Sequence, residues 1–208
     1  MVKEKTVEAY LCELKSDSPT PGGGSASALQ GAIGSSLALM VIRLTVGKKA
    51  YRNVSEKLYE IGLLFESLRE EFLSLSDRDE EAYAFFRQAL ALPKETDDEI
   101  EERRKAIAEA SIKATEVPMT VMRTALRALN LLREVAPIGS KHVISDAGVS
   151  CETLLSALSG ASMNVRINAK YMNDAAVKEA FLKEMEEMLK NGQRLHDEIE
   201  SITIERIS

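Results

Sequence analysis

Apolar residues recur along this chain at the three-and-four spacing of amphipathic helices, and no run alternates as a half-buried strand does. Val7, Tyr10, Leu11 and Leu14 define a short first helix within residues 3–15. From Ser25 to Val46 the apolar set Leu29, Ile33, Leu37, Met40, Val41 and Leu44 keeps the helical spacing. Ser27, Gly31, Ser35 and Ala38 line another face with small side chains, so this helix is expected to be central and buried on both faces. Asn53 with Glu56 opens a third helix through Leu58, Ile61, Leu64, Phe65, Leu68 and Phe72 toward Leu92, and Pro93 ends it. Thr96 with Glu99 repeats the capping pair at the start of a long fourth helix, which Pro118 is expected to kink before "VAPIGS" stops it. "ISDAGVSCETLLSALSGASMNVRINAKYM" predicts a second small-residue helix, and Asn173 and Asp174 open a charged last helix through Ile204.

The expected fold class is therefore all-α, with a single domain over residues 1–208. It is a bundle of about six long helices joined by short connections, with the two small-residue helices at its centre. Composition agrees, since strong helix formers dominate and aromatic residues reach only 5%. Residues 25–46 come nearest to a membrane span, but Gln30 and repeated Gly and Ser lower their hydropathy, so no membrane partner is expected. A net charge of -6 opposes a nucleic-acid partner, because phosphate contacts need a basic face. Cys12 and Cys151 have no metal-ligand spacing and are expected as buried, reduced thiols. "MVKEKTVEAYL" carries charge where a signal peptide needs an apolar core, so a cytoplasmic location is expected.

Candidate chemistry begins at "PTPGGGS". Gly22, Gly23, Gly24 and Ser25 stand at a helix start, where unpaired and unobstructed N–H groups can meet an anion or a carbonyl. The same residues could equally form a plain turn into a buried helix. Lys48, Lys49 and Tyr51 follow the far end of that helix, as dipole caps or as contacts to a carboxylate-bearing ligand. Asp79 sits mid-helix, where aspartate is disfavoured, and shares a face with Tyr83. Either a local helix break or a buried functional carboxylate explains it, whereas Asp77 reads as a solvated neighbour. Asp146 opens the second small-residue helix, and Asn164 and Asn168 lie on one face of it as amides that need partners. His142 and His196 have no companions at ligand spacing, so no metal site is expected, and His196 reads as a surface residue.

The ordered segments "PTPGGGSASA", "RLTVGKKAY", "DEEAYAFFRQALALPK", "EVP" and "ISDAGVSCETLLSALSGASMNVRIN" resemble the formiminotransferase-cyclodeaminase family, specifically its cyclodeaminase domain and the free-standing methenyltetrahydrofolate cyclohydrolases similar to it. The resemblance covers nearly the whole chain. It implies an all-helical homodimer whose partner is a tetrahydrofolate derivative, with no cofactor beyond that substrate. In the cyclodeaminase reaction, N10 attacks the formimino carbon on N5 and ammonia leaves; in the cyclohydrolase reaction, water adds to the methenyl carbon and the ring opens. The resemblance implies Asp79 and Asp146 as the acids and Lys48 as a proton donor or charge partner. It further implies that the Gly22–Ser25 turn, Asn164 and Asn168 meet the polar edges of the ligand, and Lys49 its glutamate tail. Where the bifunctional proteins carry asparagines before the Ser-Asp pair, this chain reads "IGSKHVISD", which leaves the choice of reaction open. No transferase segment precedes the helical one, so channelling within one chain is not expected. The rival from another class is a non-catalytic helical folate-binding or scaffold protein; only an enzyme needs a polar cleft between the small-residue helices.

Overall fold

The structure, a computed structural model, describes residues 1–208 and is built from six α-helices without a strand. They are α1 (Val7–Leu14), α2 (Gly23–Arg43), α3 (Ser55–Leu90), α4 (Asp97–Val135), α5 (Ile144–Ala169) and α6 (Ala175–Ile207). Short 3-10 turns cover Val2–Glu4, Lys49–Tyr51 and Lys141–Val143. Three helices begin on a side-chain cap, two of them, α4 and α6, as expected. Thr6 accepts from Ala9 N, Thr96 and Glu99 form a reciprocal capping box, and Asp174 accepts from Ala176 N and Val177 N. At α3 the Asn53 signal fails, because the cap is Val54 with no side-chain hydrogen bond.

The α2 helix lies against α3 and α5, with α4 behind the three, and α6 closes the far side against α4 and α5. Phe65, Phe72, Leu129, Leu132, Leu154 and Leu158 fill the core with less than 2% exposure. Contrary to the expectation for α2, only part of its large apolar set is buried: Val41 is enclosed, together with Leu39 and Ile42. Ser27, Gly31, Ser35 and Ala38 are enclosed, whereas Ile33, Met40 and Leu44 are exposed. Small side chains let neighbouring backbones close in; a Cβ at Gly31 would overlap the Phe72 ring. Ile33, Met40 and Leu44 are turned outward. In length and composition α2 alone passes for a membrane span, at mean hydropathy 1.5, yet most of it is enclosed by its neighbours.

Pro118 lies inside α4 without interrupting it. Cys151 is buried as expected, and burial pushes its thiol up to about 12, which leaves it unreactive. Cys12, by contrast, is exposed on α1. His196 is not a surface residue. It is buried between α5 and α6, with Nε2 at 2.7 Å from Glu152 Oε1 and Nδ1 at 3.3 Å from Asp197 Oδ1. Glu152, His196 and Glu200 thus bring three candidate ligand atoms within 4.8 Å of one another, a grouping that histidine spacing along the chain does not suggest.

Burial opposes the charged imidazole of His196, but Glu152, Asp197 and Glu200 outweigh it, so its pKa is raised above 6.5. A raised folded-state pKa gives stability that is fully present below the unfolded value and lost as pH rises through the folded one. The His196 contribution is therefore expected to fade as pH climbs above about 6.5. Chemical denaturation at about pH 6 and about pH 8.5 should show a loss for the native chain that is smaller in Glu152→Gln. An equal loss in both would detach it from this pair.

Candidate active site

The prolines and glycines before α2 leave it without a side-chain cap of its own: the N-cap is Gly22, and the first turn holds no acid. The cap comes instead from α3. That helix runs unbroken through residues 77–79, and Asp79 Oδ2 accepts from Ser25 N at 2.9 Å. Gly24 makes room for this approach, since a Cβ there would overlap the Asp79 carboxylate. The mid-helix aspartate is thus a half-buried carboxylate rather than a helix break. Burial pushes its carboxyl up to about 6 against the Ser25 N–H, which favours the anion, while Glu80 adds to the rise. Asp77 is not merely solvated, because its Oδ1 accepts from Val2 N at 2.7 Å and ties down the N-terminal turn.

A hydroxyl chain supports this corner. Ser25 Oγ lies 2.7 Å from Ser76 Oγ and 3.1 Å from Tyr10 OH, all three buried. From there a cleft of about 340 Å³ opens between α2, α3 and α5. Gly22, Gly23, Gly24, Asp79, Tyr83, Asn164 and Asn168 line it, so seven of the residues singled out by sequence share one cavity. Ser25 sits just behind, joined to Asp79. Phe86 and Tyr171, packed edge to face at 5.2 Å, supply an apolar wall that suits a flat ring system.

The two amides are held in different ways. Asn164 Nδ2 donates to Gly160 O in its own helix at 3.2 Å. Asn168 Nδ2 donates across to Ala114 O at 3.0 Å. Ala114 is four residues before Pro118, the position whose missing N–H would have closed the helical bond to that carbonyl. Pro118 frees an acceptor, Asn168 takes it, and the Asn168 carbonyl is left for a ligand. Pro118→Ala would return the carbonyl to α4 and release Asn168. It is expected to raise KM about 3- to 10-fold, the worth of one neutral hydrogen bond, with kcat little changed. Steady-state kinetics on the purified variant check this, and an unchanged KM would show that Asn168 needs no such anchor.

Lys48, Lys49, Tyr51 and Asp146 are not in this cleft. Lys48 Nζ donates to Ser140 Oγ at 3.2 Å, and Tyr51 OH accepts from Lys141 N at 3.2 Å. That N–H, opposed by partial burial and helped by Arg206 and Lys48, holds the Tyr51 phenol below its usual range. Lys49 is exposed beside them, and Asp146 lies half-buried in the first turn of α5. These groups follow the C-terminus of α2, whereas the cleft opens at its N-terminus. The 21 residues between correspond to about 30 Å. Within one chain the expected trio of Asp79, Asp146 and Lys48 is therefore split, because a helix of that length stands between its members.

Sequence reasoning missed Tyr10, Ser76, Phe86, Tyr171 and the part played by Pro118. Tyr10 was legible only as an apolar helix position and Ser76 not at all, since the bonds that join them to Ser25 cross between helices. Against this geometry, the family model described as Formiminotransferase-cyclodeaminase matches residues 6–187. The chain belongs to this family. A methenyltetrahydrofolate cyclohydrolase from Methylorubrum extorquens is 39% identical over 96% of each chain. The formimidoyltransferase-cyclodeaminase of Rattus norvegicus is 32% identical over 85% of this chain, which spans only 32% of that larger protein. The crystal structure of a formiminotetrahydrofolate cyclodeaminase from Thermotoga maritima superposes with a TM-score of 0.89 over the whole of both chains at 24% identity, which supports the all-helical fold. As a member of the formiminotransferase-cyclodeaminase family, the chain carries its most distinctive segments, "PGGGS", "DEEAY" and "MNVRIN", on the three helices that enclose the cleft.

Proposed function

We propose that this chain is a folate-dependent one-carbon enzyme that acts on the group bridging N5 and N10 of tetrahydrofolate, as a methenyltetrahydrofolate cyclohydrolase. One observation carries the reading: a half-buried carboxylate, which burial pushes up to about 6, accepts from a helix N-terminus at the edge of a cleft lined by two amides and an aromatic wall. Addition of water to the methenyl carbon needs a proton acceptor, and a group of that pKa is mostly ionised at neutral pH. Asp79 takes a proton from the water as the C–O bond forms and returns it to N5 as the C–N5 bond breaks; the remaining hydroxyl proton leaves to solvent, and a formyl group stays on N10. Carbonyl oxygens of Asn164 and Asn168 accept from the N–H edge of the pterin. The chemistry is redox-neutral and asks for no electron-carrying group.

Similarity to a free-standing cyclohydrolase over nearly all of both chains favours hydrolysis. Cyclodeamination is the second reading, because the bifunctional relatives share the same segment. The exposed apolar stripe of α2 supports a homodimer, and the acidic balance of the chain weighs against nucleic acid as a partner. A cytoplasmic setting accords with two free thiols.

Assaying both substrates side by side tests the proposal. Protein-dependent decay of the methenyl absorbance is expected, exceeding ammonia release from the formimino derivative. Faster ammonia release would make cyclodeamination the main activity, and no turnover of either compound would leave a binding protein.

A further inference from the structure

One group of ionisable side chains lies apart from the cleft and takes no part in the chemistry assigned to it. His196, on α6, is only 8% exposed. Its Nε2 stands 2.7 Å from Oε1 of Glu152 on α5, and its Nδ1 stands 3.3 Å from Oδ1 of Asp197. A neutral imidazole has a single N–H to give, so one of these contacts sets a bare ring nitrogen against an acceptor oxygen. The arrangement asks for a further positive charge, either a proton or a metal ion.

A proton serves one contact and no more, whereas a third carboxylate is waiting. Glu200, one helical turn after His196, brings an oxygen within 4.8 Å of the other two ligand atoms, and its side chain makes no hydrogen bond or ion pair of its own. Four residues along a helix is the spacing at which two side chains can hold one ion. Arg133 and Arg194, which reach this part of α6, both pair with Glu198 instead. Behind the ring, Asp197 Oδ1 also accepts from Gln193 Nε2 at 2.7 Å, so the carboxylate that meets Nδ1 is itself held and Nε2 is the nitrogen left for an ion. In front, Glu152 and Glu200 border a groove of about 260 Å³ between α5 and α6, which gives an ion its way in and room for water. Cys151 lines the same groove, but its Sγ is buried and turned to the His196 carbonyl at 3.9 Å.

We propose that Glu152, His196 and Glu200 form a binding site for a divalent transition-metal ion of the zinc class, which bolts α5 to α6. One imidazole nitrogen with two carboxylate oxygens suits such an ion, whereas Mg²⁺ and Ca²⁺ favour oxygen alone. Ligand atoms about 2.0–2.1 Å from a tetrahedral zinc stand about 3.3 Å apart, so Glu152 must draw back from His196 by about 0.6 Å. Its side chain is 60% exposed and has the room to do so. Asn164 lies about 18 Å further along α5, so the site is separate from the cleft and the inference stands without the folate reading.

Zinc titration of the metal-free chain by calorimetry tests it. The native chain is expected to bind one Zn²⁺ that excess Mg²⁺ does not displace. Glu200→Gln removes a side chain with no partner in the fold, so it should fold as the native chain does and bind at least about 10-fold more weakly, since loss of even a group supporting a ligand costs that much. His196→Gln should bind more weakly still. Zn²⁺ should raise the thermal midpoint of the native chain and, at the same concentration, raise that of Glu200→Gln much less. Co²⁺ in place of zinc should give the visible bands of a nitrogen and oxygen site without the ultraviolet thiolate band that Cys12 or Cys151 would add. No binding, an unchanged affinity in Glu200→Gln, displacement by Mg²⁺ or a thiolate band would each overturn the site.

Discussion

Asp79→Asn is expected to slow turnover at least about 100-fold while making the chain more stable at neutral pH. The first effect follows from removing a positioned proton acceptor, an effect typically worth about 100- to 10,000-fold. The second follows from the sign of the pKa shift. The Asp79 carboxyl is raised from 3.8 to about 6, so its favourable contribution is present below the unfolded value and lost as pH rises through about 6. Above that, the fold carries a partly desolvated anion at a cost of up to about 3 kcal/mol, which the neutral amide avoids. Asparagine also keeps an oxygen to accept from Ser25 N, so folate affinity should change little. Asp77→Asn, which can still accept from Val2 N, should leave turnover near native. Kinetics and denaturation on the same preparations check both effects. If Asp79→Asn were active, or both less active and less stable, Asp79 would be a structural cap and no more.

Gly24→Ala is expected to be nearly as damaging as losing Asp79 itself. A single methyl would occupy the space of the carboxylate, and the backbone of α2 cannot yield as the tip of a flexible side chain can. Asp79 must turn away, Ser25 N loses its acceptor, and the helix start is weakened by about 0.5–2 kcal/mol, the usual worth of a cap. Turnover should fall by about 100-fold or more, and unlike Asp79→Asn the stability should fall with it. Gly23→Ala is the control one residue away. Its Cβ would meet Asn164 Nδ2 at 3.7 Å, an ordinary contact, so activity should survive. Similar behaviour of the two variants would mean that the glycines serve the turn alone.

These two residues show how far the sequence could be read. Glycines before a helix and an aspartate inside one were each visible as exceptions to local propensity, and the fold joins them, because the acid caps the helix that the glycines start. The paired amides of α5 stood out for the same reason. What could not be read was anything fixed by distance across the bundle. Lys48 and Asp146 looked like companions of Asp79 until the length of α2 separated them within one chain. The stripe of Ile33, Met40 and Leu44 read as core because hydropathy ranks side chains by size, whereas close helix packing selects for smallness. His196 gave no sign of its carboxylate partners, since Glu152 lies on another helix. Pro118 was legible as a disruption of α4, but not as the source of the carbonyl that holds Asn168.

The measurement that bears hardest on the folate chemistry is the pH dependence of kcat/KM for methenyltetrahydrofolate hydrolysis by the native chain and by Asp79→Asn. Native activity is expected to rise with pH through about 6 and level off above it, as the Asp79 carboxyl ionises, and the variant should keep a small residual rate without that limb. A native profile flat across this range, or the same limb in both proteins, would contradict the assignment of proton transfer to Asp79.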